Sequence, residues 1–370
     1  LSTIRRDCSG RLPREHDLKA FIYESAPARV IFGFGTATQL TQELERLCVS
    51  RALVLSTPEQ KNKAEEISAC LGAKRAGIFA GAVMHTPVHV TEEAVDVARA
   101  FQADVVVAIG GGSTIGLAKA IALRTDLPQV VLPTTYAGSE MTPILGETKD
   151  GLKTTQRTLK VLPEVVIYDV ELTYSLPANT SITSRINAMA HAVEALYAKD
   201  GNPIISLMAE EGIRAFGVSL PRLASDPKDR DARAQALYGA WLCGTCLGAA
   251  GMALHHKLCH TLGGSFNLPH AETHTVILPH ATAYNASFAP QAMAAVARAL
   301  RVENAADGLF DFIQRVGAPT SLAQLGFMES DIDRAMEIAT RAPYWNPRPV
   351  EPEALRTLLT RAWAGKRPHS

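Results

Sequence analysis

The chain has 370 residues, which suits two domains better than one, because single hydrophobic cores stop growing at about 250–300 residues. Its 37 basic and 37 acidic residues balance, so no excess of positive charge favours nucleic acid or an anionic membrane as a partner. Six cysteines are too few for a disulfide-stapled secreted scaffold, and these numbers together favour a cytoplasmic protein with a small ligand.

Residues 1–20 are charged and lack the apolar segment of a signal peptide, so they are expected to form a poorly structured extension. Short β-branched runs then alternate with segments of helical spacing, which predicts an α/β domain with a mostly parallel sheet over residues 21–179. The predicted strands are Val30–Phe34, Ala52–Ser56, Gly77–Phe79, Asp104–Ile109, Gln129–Pro133 and Val165–Asp169. The predicted helices between them are Thr38–Cys48, Lys61–Leu71, Thr91–Phe101 and Ile115–Thr125.

A glycine run after a buried strand marks a candidate phosphate site. Gly110-Gly111-Gly112-Ser113-Thr114 follows the strand Asp104–Ile109 and precedes a predicted helix. Backbone N–H groups without side chains can approach a dianion there, and the helix N-terminus favours negative charge. Ser113 and Thr114 are expected to cap the helix or to contact phosphate oxygens. The spacing fits neither the dinucleotide fingerprint nor a P-loop, and a merely tight turn is the alternative.

Two further loops at the same edge of the sheet carry candidate cofactor contacts. The hydroxyls of Thr134-Thr135-Tyr136 and Ser139 suit ribose and nicotinamide, although a solvated connection is an equal alternative. The strand Ala52–Leu55 ends at Ser56-Thr57-Pro58, where many dinucleotide enzymes place an acid for the ribose 2′-hydroxyl. No acid stands in that run and Lys61 and Lys63 are near, which predicts that both NADH and NADPH are used.

The turn-rich segment Leu176-Pro177-Ala178-Asn179 ends the α/β pattern, and residues 180–370 are expected to form a helical substrate-binding domain. The predicted helices are 181–199, 203–219, 231–250, 252–263, 291–301, 305–316, 319–325, 329–340 and 351–364. The uncharged stretch Ala236–Leu254 is long enough to span a bilayer, but its glycines and alanines favour a packed, buried helix. Cys243 and Cys246 within it have redox or zinc spacing, and core packing is the favoured interpretation.

Six of the eleven histidines fall between positions 255 and 280. His256 and His260 share a helical face because they are four apart, and Asn187 and His191 show the same spacing on another helix. If the two helices face each other, with His270 after a turn, their nitrogen and oxygen atoms converge on one point. Burial in the core is the alternative, and it is favoured for three other histidines taken singly: His255, His274 and His280.

The glycine loop, the Pro-Thr-Thr…Gly-Ser-Glu loop and the histidine cluster together resemble the iron-containing (group III) alcohol dehydrogenase family over residues 25–365. The resemblance implies a Rossmann-like domain and an all-helical domain, as in dehydroquinate synthase, with hydride transfer in the cleft and a homodimer. It also implies that Lys153 contacts the cofactor. The family's metal ligands, one Asp and three His, correspond to Asn187, His191, His256 and His270, and a histidine near the substrate corresponds to His260.

Two positions depart from the family pattern. Asn187 stands in place of the metal-binding aspartate, so the anionic ligand is lost, and a metal-free site is favoured over weak binding of Zn²⁺ or Fe²⁺. Gly116 replaces the aspartate of the family's GGGSxxDxAK loop, which predicts a roomier and less charged nicotinamide side.

Within the family, the segments Leu132–Thr142 and His256–His274 are most similar to members that reduce a small unsaturated dicarboxylate. The resemblance implies that His191, His256 and His270 polarise the developing oxyanion and the carboxylates. It further implies that His260 donates a proton, while Asn187 and Tyr136 add neutral hydrogen bonds. A metal-dependent alcohol or lactaldehyde-type dehydrogenase is one alternative, and a dehydroquinate-synthase-like lyase, which needs a firm metal site, is another.

Overall fold

The computed structural model describes residues 21–25, 28–176 and 178–369, without the side chains of Lys153 and residues 178–181. The extension predicted at 1–20 lies outside the described residues. The strands are β1 (Arg29–Gly33), β2 (Ala52–Leu55), β3 (Arg75–Phe79), β4 (Val105–Gly110), β5 (Gln129–Pro133), β6 (Ile144–Lys149), β7 (Leu152–Arg157) and β8 (Val165–Asp169). Six of them form one parallel sheet in the order β1-β8-β5-β4-β2-β3, which confirms the predicted fold class.

Helices on both faces of this sheet bury it completely at its centre. They are α1 (Leu40–Arg46), α2 (Lys61–Ile67), α3 (Val88–Ala100) and α4 (Gly112–Thr125). Along β4, Val105 and Val107 join the core that contains Leu40, whereas Val106 joins the opposite core that contains Ile115. A strand that is covered on both faces has no polar side, and its sequence is therefore a continuous apolar run.

The strand order places a crevice between the carboxyl ends of β2 and β4. The chain leaves β2 toward β3 on one side and leaves β4 toward β5 on the other. Ligands of open α/β sheets bind at such a switch of direction. Gly110 at the end of β4 pairs with Pro133 at the end of β5, so the glycine loop and the Thr134 loop begin at the same level.

A two-stranded hairpin, β6 with β7, was not among the predicted elements. Its strands are antiparallel and are joined by Asp150 and Gly151, whose φ angles are 50° and 76°. Two residues with positive φ form the turn that matches the twist of a hairpin, and Asp-Gly is a preferred pair for it. The Asp150-Gly151 pair was therefore a sequence signal for this hairpin.

The second half of the chain is helical, as predicted. Its helices are α5 (Ala178–Ala195), α6 (Pro203–Ser225), α7 (Arg230–Ala249), α8 (Leu254–Phe266), α9 (His270–Asn285), α10 (Pro290–Leu300), α11 (Ala305–Arg315), α12 (Ile332–Thr340) and α13 (Pro352–Trp363). The prediction missed α9. The predicted helix 319–325 is wrong, because only a 3₁₀ turn forms at Ala323–Leu325. Tyr136 and Tyr168 from the sheet half pack in the same apolar cluster as α5, α6 and α7.

The apolar helix α7 is buried rather than exposed. Cys243 and Cys246 lie in the core, where burial raises the pKa of Cys243 far above its usual range and that of Cys246 to about 12. Core packing of this pair is therefore confirmed. In the part of the chain that the structure describes, no single helix has the length and apolarity to cross a membrane. Only α7 and α8 taken together reach that composition, and a 95° bend separates them.

Candidate active site

The glycine loop presents uncapped backbone amides. Helix α4 begins at Gly112, three residues earlier than predicted, and Gly111 occupies the position before it without a side-chain cap. The prediction that Ser113 or Thr114 caps this helix is wrong, because the helix already includes both residues. A Cβ at Gly110 would lie 2.3 Å from Thr114 Oγ1, whereas a Cβ at Gly112 would meet nothing within 4 Å. The first-turn N–H groups and the open space at Gly112 together suit an anionic group.

A cavity of about 730 Å³ lies at the carboxyl edge of the sheet. This volume is in the range of small-molecule and cofactor sites, which is about 300–1,000 Å³. Its lining includes Gln60 after β2, Thr134 after β5 and Glu171 after β8. Gln60 Nε2 donates a hydrogen bond to Thr134 Oγ1 at 3.2 Å, so the loops after β2 and β5 hold each other. The cavity therefore extends across the carboxyl ends of β2, β5 and β8, which lie on both sides of the glycine loop after β4.

The other predicted cofactor contacts lie at differing depths. Ser56 is fully buried, and its hydroxyl has no hydrogen-bond partner among the described residues. Thr135 is half-buried, and its side chain would lie 2.8 Å from a Cβ at Gly111. Ser139 offers its carbonyl oxygen to Lys119 rather than to the cavity. Lys153 lies in β7, paired with Thr148. Their contacts with a cofactor stay predictions.

An acid near the end of β2 was missed. Glu59 lines the cavity together with Lys63, and a hydrogen bond from Thr57 helps to hold the pKa of its carboxyl below the usual range. The sequence run Ser56-Thr57-Pro58 contains no acid, but the 3₁₀ turn at Pro58–Gln60 brings the next residue to the cavity. One carboxylate and one ammonium group therefore share the region expected to receive the adenosine ribose.

The expected extra room at Gly116 is filled. A Cβ at this position would lie 2.4 Å from Thr86 Oγ1. Thr86 is buried and has a φ of 46°, in the left-handed region that residues other than glycine rarely adopt. The prediction of a roomier nicotinamide side is wrong, because a loop distant in sequence occupies the space that the aspartate of the family would take.

Lys119 organises the loop after β5. Its buried ammonium donates to the carbonyl oxygens of Ser139 and Thr142 at 2.5 and 2.7 Å, and to that of Ile144 at 3.0 Å. Burial lowers the pKa of Lys119 to about 7, against the attraction of the buried Glu140 carboxylate. Lys119, the lysine of the GGGSxxDxAK pattern on α4, thus fixes the conformation of residues 139–144.

The histidines form one continuous array between α5, α8 and α9. The ring centroids of His191 and His256 are 5.1 Å apart, those of His256 and His260 6.0 Å, and those of His260 and His270 6.4 Å. His274 joins the array at 4.4 Å from His270 and 5.0 Å from His256. The structure therefore brings all four predicted histidines together.

The array runs from the interior to solvent. His191 and His256 are 4% and 6% exposed, whereas His260 and His270 are exposed. Burial lowers the pKa of His191 well below its usual range, and repulsion from His256 lowers it further. His191 is therefore a neutral imidazole at physiological pH, and the solvent side of the site is formed by His260 and His270.

Besides His255 Nδ1 and His274 Nε2, three buried polar atoms on the predicted site residues at the inner end have no hydrogen-bond partner among the residues that the structure describes. They are Asn187 Oδ1, His191 Nδ1 and His256 Nε2. A buried donor or acceptor left unpaired costs about 1–3 kcal/mol, so native proteins rarely leave several in one place. Asn187 and His191 are one turn apart on α5, and the ring of His256 stacks on that of His191. These atoms together mark a site that a polar ligand completes.

Glu194 is the functional residue that sequence reasoning missed. Its buried carboxylate accepts from the backbone N–H groups of Ala253 and His255 at 2.9 and 2.8 Å, and lies 2.7 Å from His256 Nδ1. A carboxylate has no proton to give, so His256 Nδ1 is the donor, and His256 Nε2 is turned toward the site. Glu194 follows His191 by three residues on α5, and this helical spacing was the available signal.

The donor set lacks the anionic ligand of the family's metal site, and the favoured metal-free state stays a prediction. The atoms left open are an amide oxygen and imidazole nitrogens, none of which carries negative charge. Among the described residues, the trio whose ligand atoms lie within 4.8 Å of one another is His255, Cys259 and His274 rather than His191, His256 and His270. That trio is already occupied by its own hydrogen bond, since His255 Nε2 and His274 Nδ1 are 2.9 Å apart.

Tyr136 lies against a buried guanidinium group. The guanidinium of Arg185 stands 3.9 Å above its ring, and the Tyr136 hydroxyl is buried with no partner in the described part of the chain. Arg185 is only two residues from Asn187 and therefore lies on a different face of α5. The role predicted for Tyr136 beside the histidines stays a prediction.

A dinucleotide-type sheet whose glycine loop is followed by a helical half with buried histidines defines a nicotinamide-dependent oxidoreductase. Comparison with known families agrees: the family "Iron-containing alcohol dehydrogenase" matches residues 27–170, and "Fe-containing alcohol dehydrogenase family, C-terminal" matches residues 181–363. The chain belongs to the iron-containing alcohol dehydrogenase family.

Within that family, the chain is similar to proteins named maleylacetate reductase. It is 59% identical to the one from Rhizobium sp. (strain MTP-10005), over 95% of this chain and 100% of that protein. It is 56% identical to the one from Burkholderia cepacia, over the same shares of the two chains. The crystal structure of maleylacetate reductase from Agrobacterium tumefaciens superposes with a TM-score of 0.93 at 58% identity, covering 95% of this chain and 100% of that one.

Proposed function

We propose that this enzyme reduces maleylacetate to 3-oxoadipate with NADH or NADPH, a reaction of aromatic-compound degradation. The observation that carries the proposal is the group of unpaired atoms on Asn187, His191 and His256, buried beside two exposed histidines. The names of relatives that are 56–59% identical over nearly the whole chain support it. The domain division near residue 179 and a homodimer are parts of the same proposal.

The glycine loop fits the pyrophosphate of the cofactor. Gly112 offers open space at an uncapped helix start, and the cavity beside Thr134 has the volume that a cofactor site needs. We assign Gly110-Gly111-Gly112-Ser113 to the pyrophosphate, and the ribose and nicotinamide to four other residues: Thr134, Thr135, Ser139 and Lys153. When bound, the cofactor supplies a hydride to the carbon–carbon double bond that is conjugated with the ketone of the substrate.

Hydride addition converts the ketone into an enolate oxygen that needs hydrogen-bond donors. His191, His256 and Asn187 lie at the buried end of the array, where that charge develops. The imidazoles are the groups that can donate an N–H there, because the open atom of Asn187 is its Oδ1, which only accepts. His256 donates from Nε2 when that nitrogen carries a proton in addition to the one on Nδ1, and the Glu194 carboxylate, 2.7 Å from Nδ1, then balances the charge. Binding and polarisation therefore use the neutral His191 and the His256–Glu194 pair.

The exposed end of the array suits proton delivery. His260 is exposed, and its ring stacks parallel to that of His270 at 6.4 Å. A histidine in contact with solvent recovers its proton from water after each turnover, which is what a general acid requires. We assign the protonation of the enolate carbon to His260, and the binding of a substrate carboxylate to His270.

An assay of NADH oxidation with maleylacetate, beside simple aldehydes and with or without EDTA, tests the proposal. We expect turnover of maleylacetate that EDTA leaves unchanged and at least 100-fold lower kcat/KM with aldehydes. His256→Ala should lower kcat/KM at least 100-fold, whereas His89→Ala, an exposed histidine on α3, is the matched control. Turnover of aldehydes that requires added metal would instead identify a metal-dependent dehydrogenase. Product formation without net NADH consumption would identify a lyase.

A further inference from the structure

A second cavity, of about 210 Å³, lies in the helical half of the molecule. It is lined by the second half of α9, by α13 and by the segments beside them, through His280, Tyr284, Arg348, Leu358, Arg361 and His369. His280 follows His270 by ten residues on α9, which corresponds to about 15 Å along a helix. The cavity is therefore separate from the histidine array described above.

The lining of this cavity is basic. It includes two arginines and two histidines and no carboxylate. Arg361 forms no ion pair with any residue that the structure describes, and its Nε donates to the carbonyl oxygen of Arg367 at 2.8 Å. Arg348 donates to the carbonyl oxygen of Tyr284 at 3.3 Å and lies 3.7 Å from Glu351, whose side chain is 66% exposed. Among the described residues, the positive charge of the cavity is thus only partly balanced.

His280 supplies an independent sign of a missing ligand. Its side chain is 2% exposed, and its Nε2 has no hydrogen-bond partner among the described residues. Burial and the nearby Arg361 lower the pKa of His280 to about 4, so the ring is neutral at physiological pH and has one N–H to donate. A buried polar atom without a partner, at the wall of a cavity, indicates that a polar ligand or water belongs there.

We propose that this cavity binds a small oxyanion, namely inorganic phosphate or a short carboxylate. Its volume is several times the roughly 30 Å³ that one water molecule occupies in the liquid, which leaves room for such an anion with a few waters. Guanidinium groups bind carboxylate and phosphate through pairs of parallel hydrogen bonds, and a neutral imidazole N–H adds one more. The anion bridges α9 to α13 and so stabilises the fold.

Calorimetric titration and thermal unfolding of the full chain, with NADH present to occupy the glycine loop, test this site. Phosphate and succinate are added separately, against potassium chloride at equal ionic strength. We expect saturable binding and a rise in Tm of roughly 3 °C at a hundred times the Kd. Binding of phosphate alone identifies a phosphate site, and binding of succinate identifies a carboxylate site.

Substitutions of the lining arginines test whether the anion binds in this cavity. Arg361→Gln and Arg348→Gln should each weaken binding about 10- to 100-fold, since each removes charge-assisted hydrogen bonds. Arg356→Gln is the matched control, because Arg356 lies on the same helix and pairs with Asp333 and Glu353 instead of lining the cavity. The proposal is overturned if neither anion binds more tightly than chloride. It is equally overturned if both cavity variants bind as tightly as the control.

Discussion

Replacement of Glu194 by glutamine tests how the site is held together. The substitution keeps the shape of the side chain and changes one carboxylate oxygen into an NH₂ group. In the native structure Oε2 accepts from Ala253 N and His256 Nδ1, and Oε1 accepts from His255 N. Whichever way the amide is turned, its NH₂ group faces at least one N–H donor, so at least one of the three hydrogen bonds from N–H groups is lost. Tyr197 Oη also donates to Oε1, at 3.5 Å.

The magnitude follows from the burial of the group. Each hydrogen bond to a charged acceptor contributes about 1.5–3 kcal/mol, and a buried donor left without a partner costs about 1–3 kcal/mol. We therefore expect Glu194→Gln to lower the free energy of unfolding by about 2–4 kcal/mol. The start of α8 and the ring of His256 lose their anchor together, and residues that orient functional histidines typically account for 10- to 100-fold in activity. The expected loss in kcat/KM for maleylacetate is of that size.

Urea unfolding gives the stability, and the NADH-oxidation assay gives kcat/KM. Glu211→Gln is the matched control, because Glu211 pairs with Arg214 on the surface of α6, where such pairs contribute under about 1 kcal/mol. Nitrogen-15 NMR of the histidine rings separates orientation from simple destabilisation, since the proton on His256 Nδ1 should move only in the Glu194 variant. Unfolding and kcat/KM that both match the Glu211 control would refute the reasoning.

Three further predictions concern the positions that depart from expectation. Gly116→Ala should lower the free energy of unfolding, measured in urea, by about 1–3 kcal/mol, because its Cβ would lie 2.4 Å from Thr86 Oγ1. Gly264→Ala is the control and should not destabilise the fold, since Gly264 has open space around it in α8; equal effects of the two substitutions would contradict the packing argument. Asn187→Asp should tighten Zn²⁺ binding at least ten-fold in calorimetric titration, since it restores an anionic ligand, and unchanged affinity would count against the charge argument. Glu59→Gln should raise kcat/KM for NADPH relative to NADH about ten-fold, because a 2′-phosphate no longer faces a carboxylate; an unchanged ratio would place the ribose elsewhere.

Sequence patterns predicted the sheet well because its strands are buried on both faces. A continuous β-branched run such as Val105-Val106-Val107 has few alternative structures, and the predicted ends of β4 and β5 lie within one residue of the observed ends. Helix α9 was harder, since Pro279 and a high proportion of histidine and threonine obscure its apolar face. Its side chains are nearly all buried on every side, so no polar face gives the helix a period that the sequence can show.

Some features of the candidate site could likewise be predicted from the sequence, and others could not. Spacing on single helices was enough to group His256 with His260 and Asn187 with His191. It could not show that Thr86 fills the space beside Gly116, because that contact depends on the path of a distant loop. The exposure of each histidine also depends on how the helices α5, α8 and α9 pack, which no local pattern contains.

The distribution of charge gives the histidine array a direction. At its inner end His191 is kept neutral by burial, and the carboxylate of Glu194 already accepts hydrogen bonds from His256 and two backbone amides. A divalent cation placed there would meet neutral ligands only, and an anion placed there can accept hydrogen bonds only from imidazole N–H groups, because the open Asn187 oxygen is itself an acceptor. At the outer end His260 and His270 are in contact with water. In the proposed reaction, negative charge develops at the depth of the pocket and protons enter from its mouth, which is the arrangement that reduction of an enone requires.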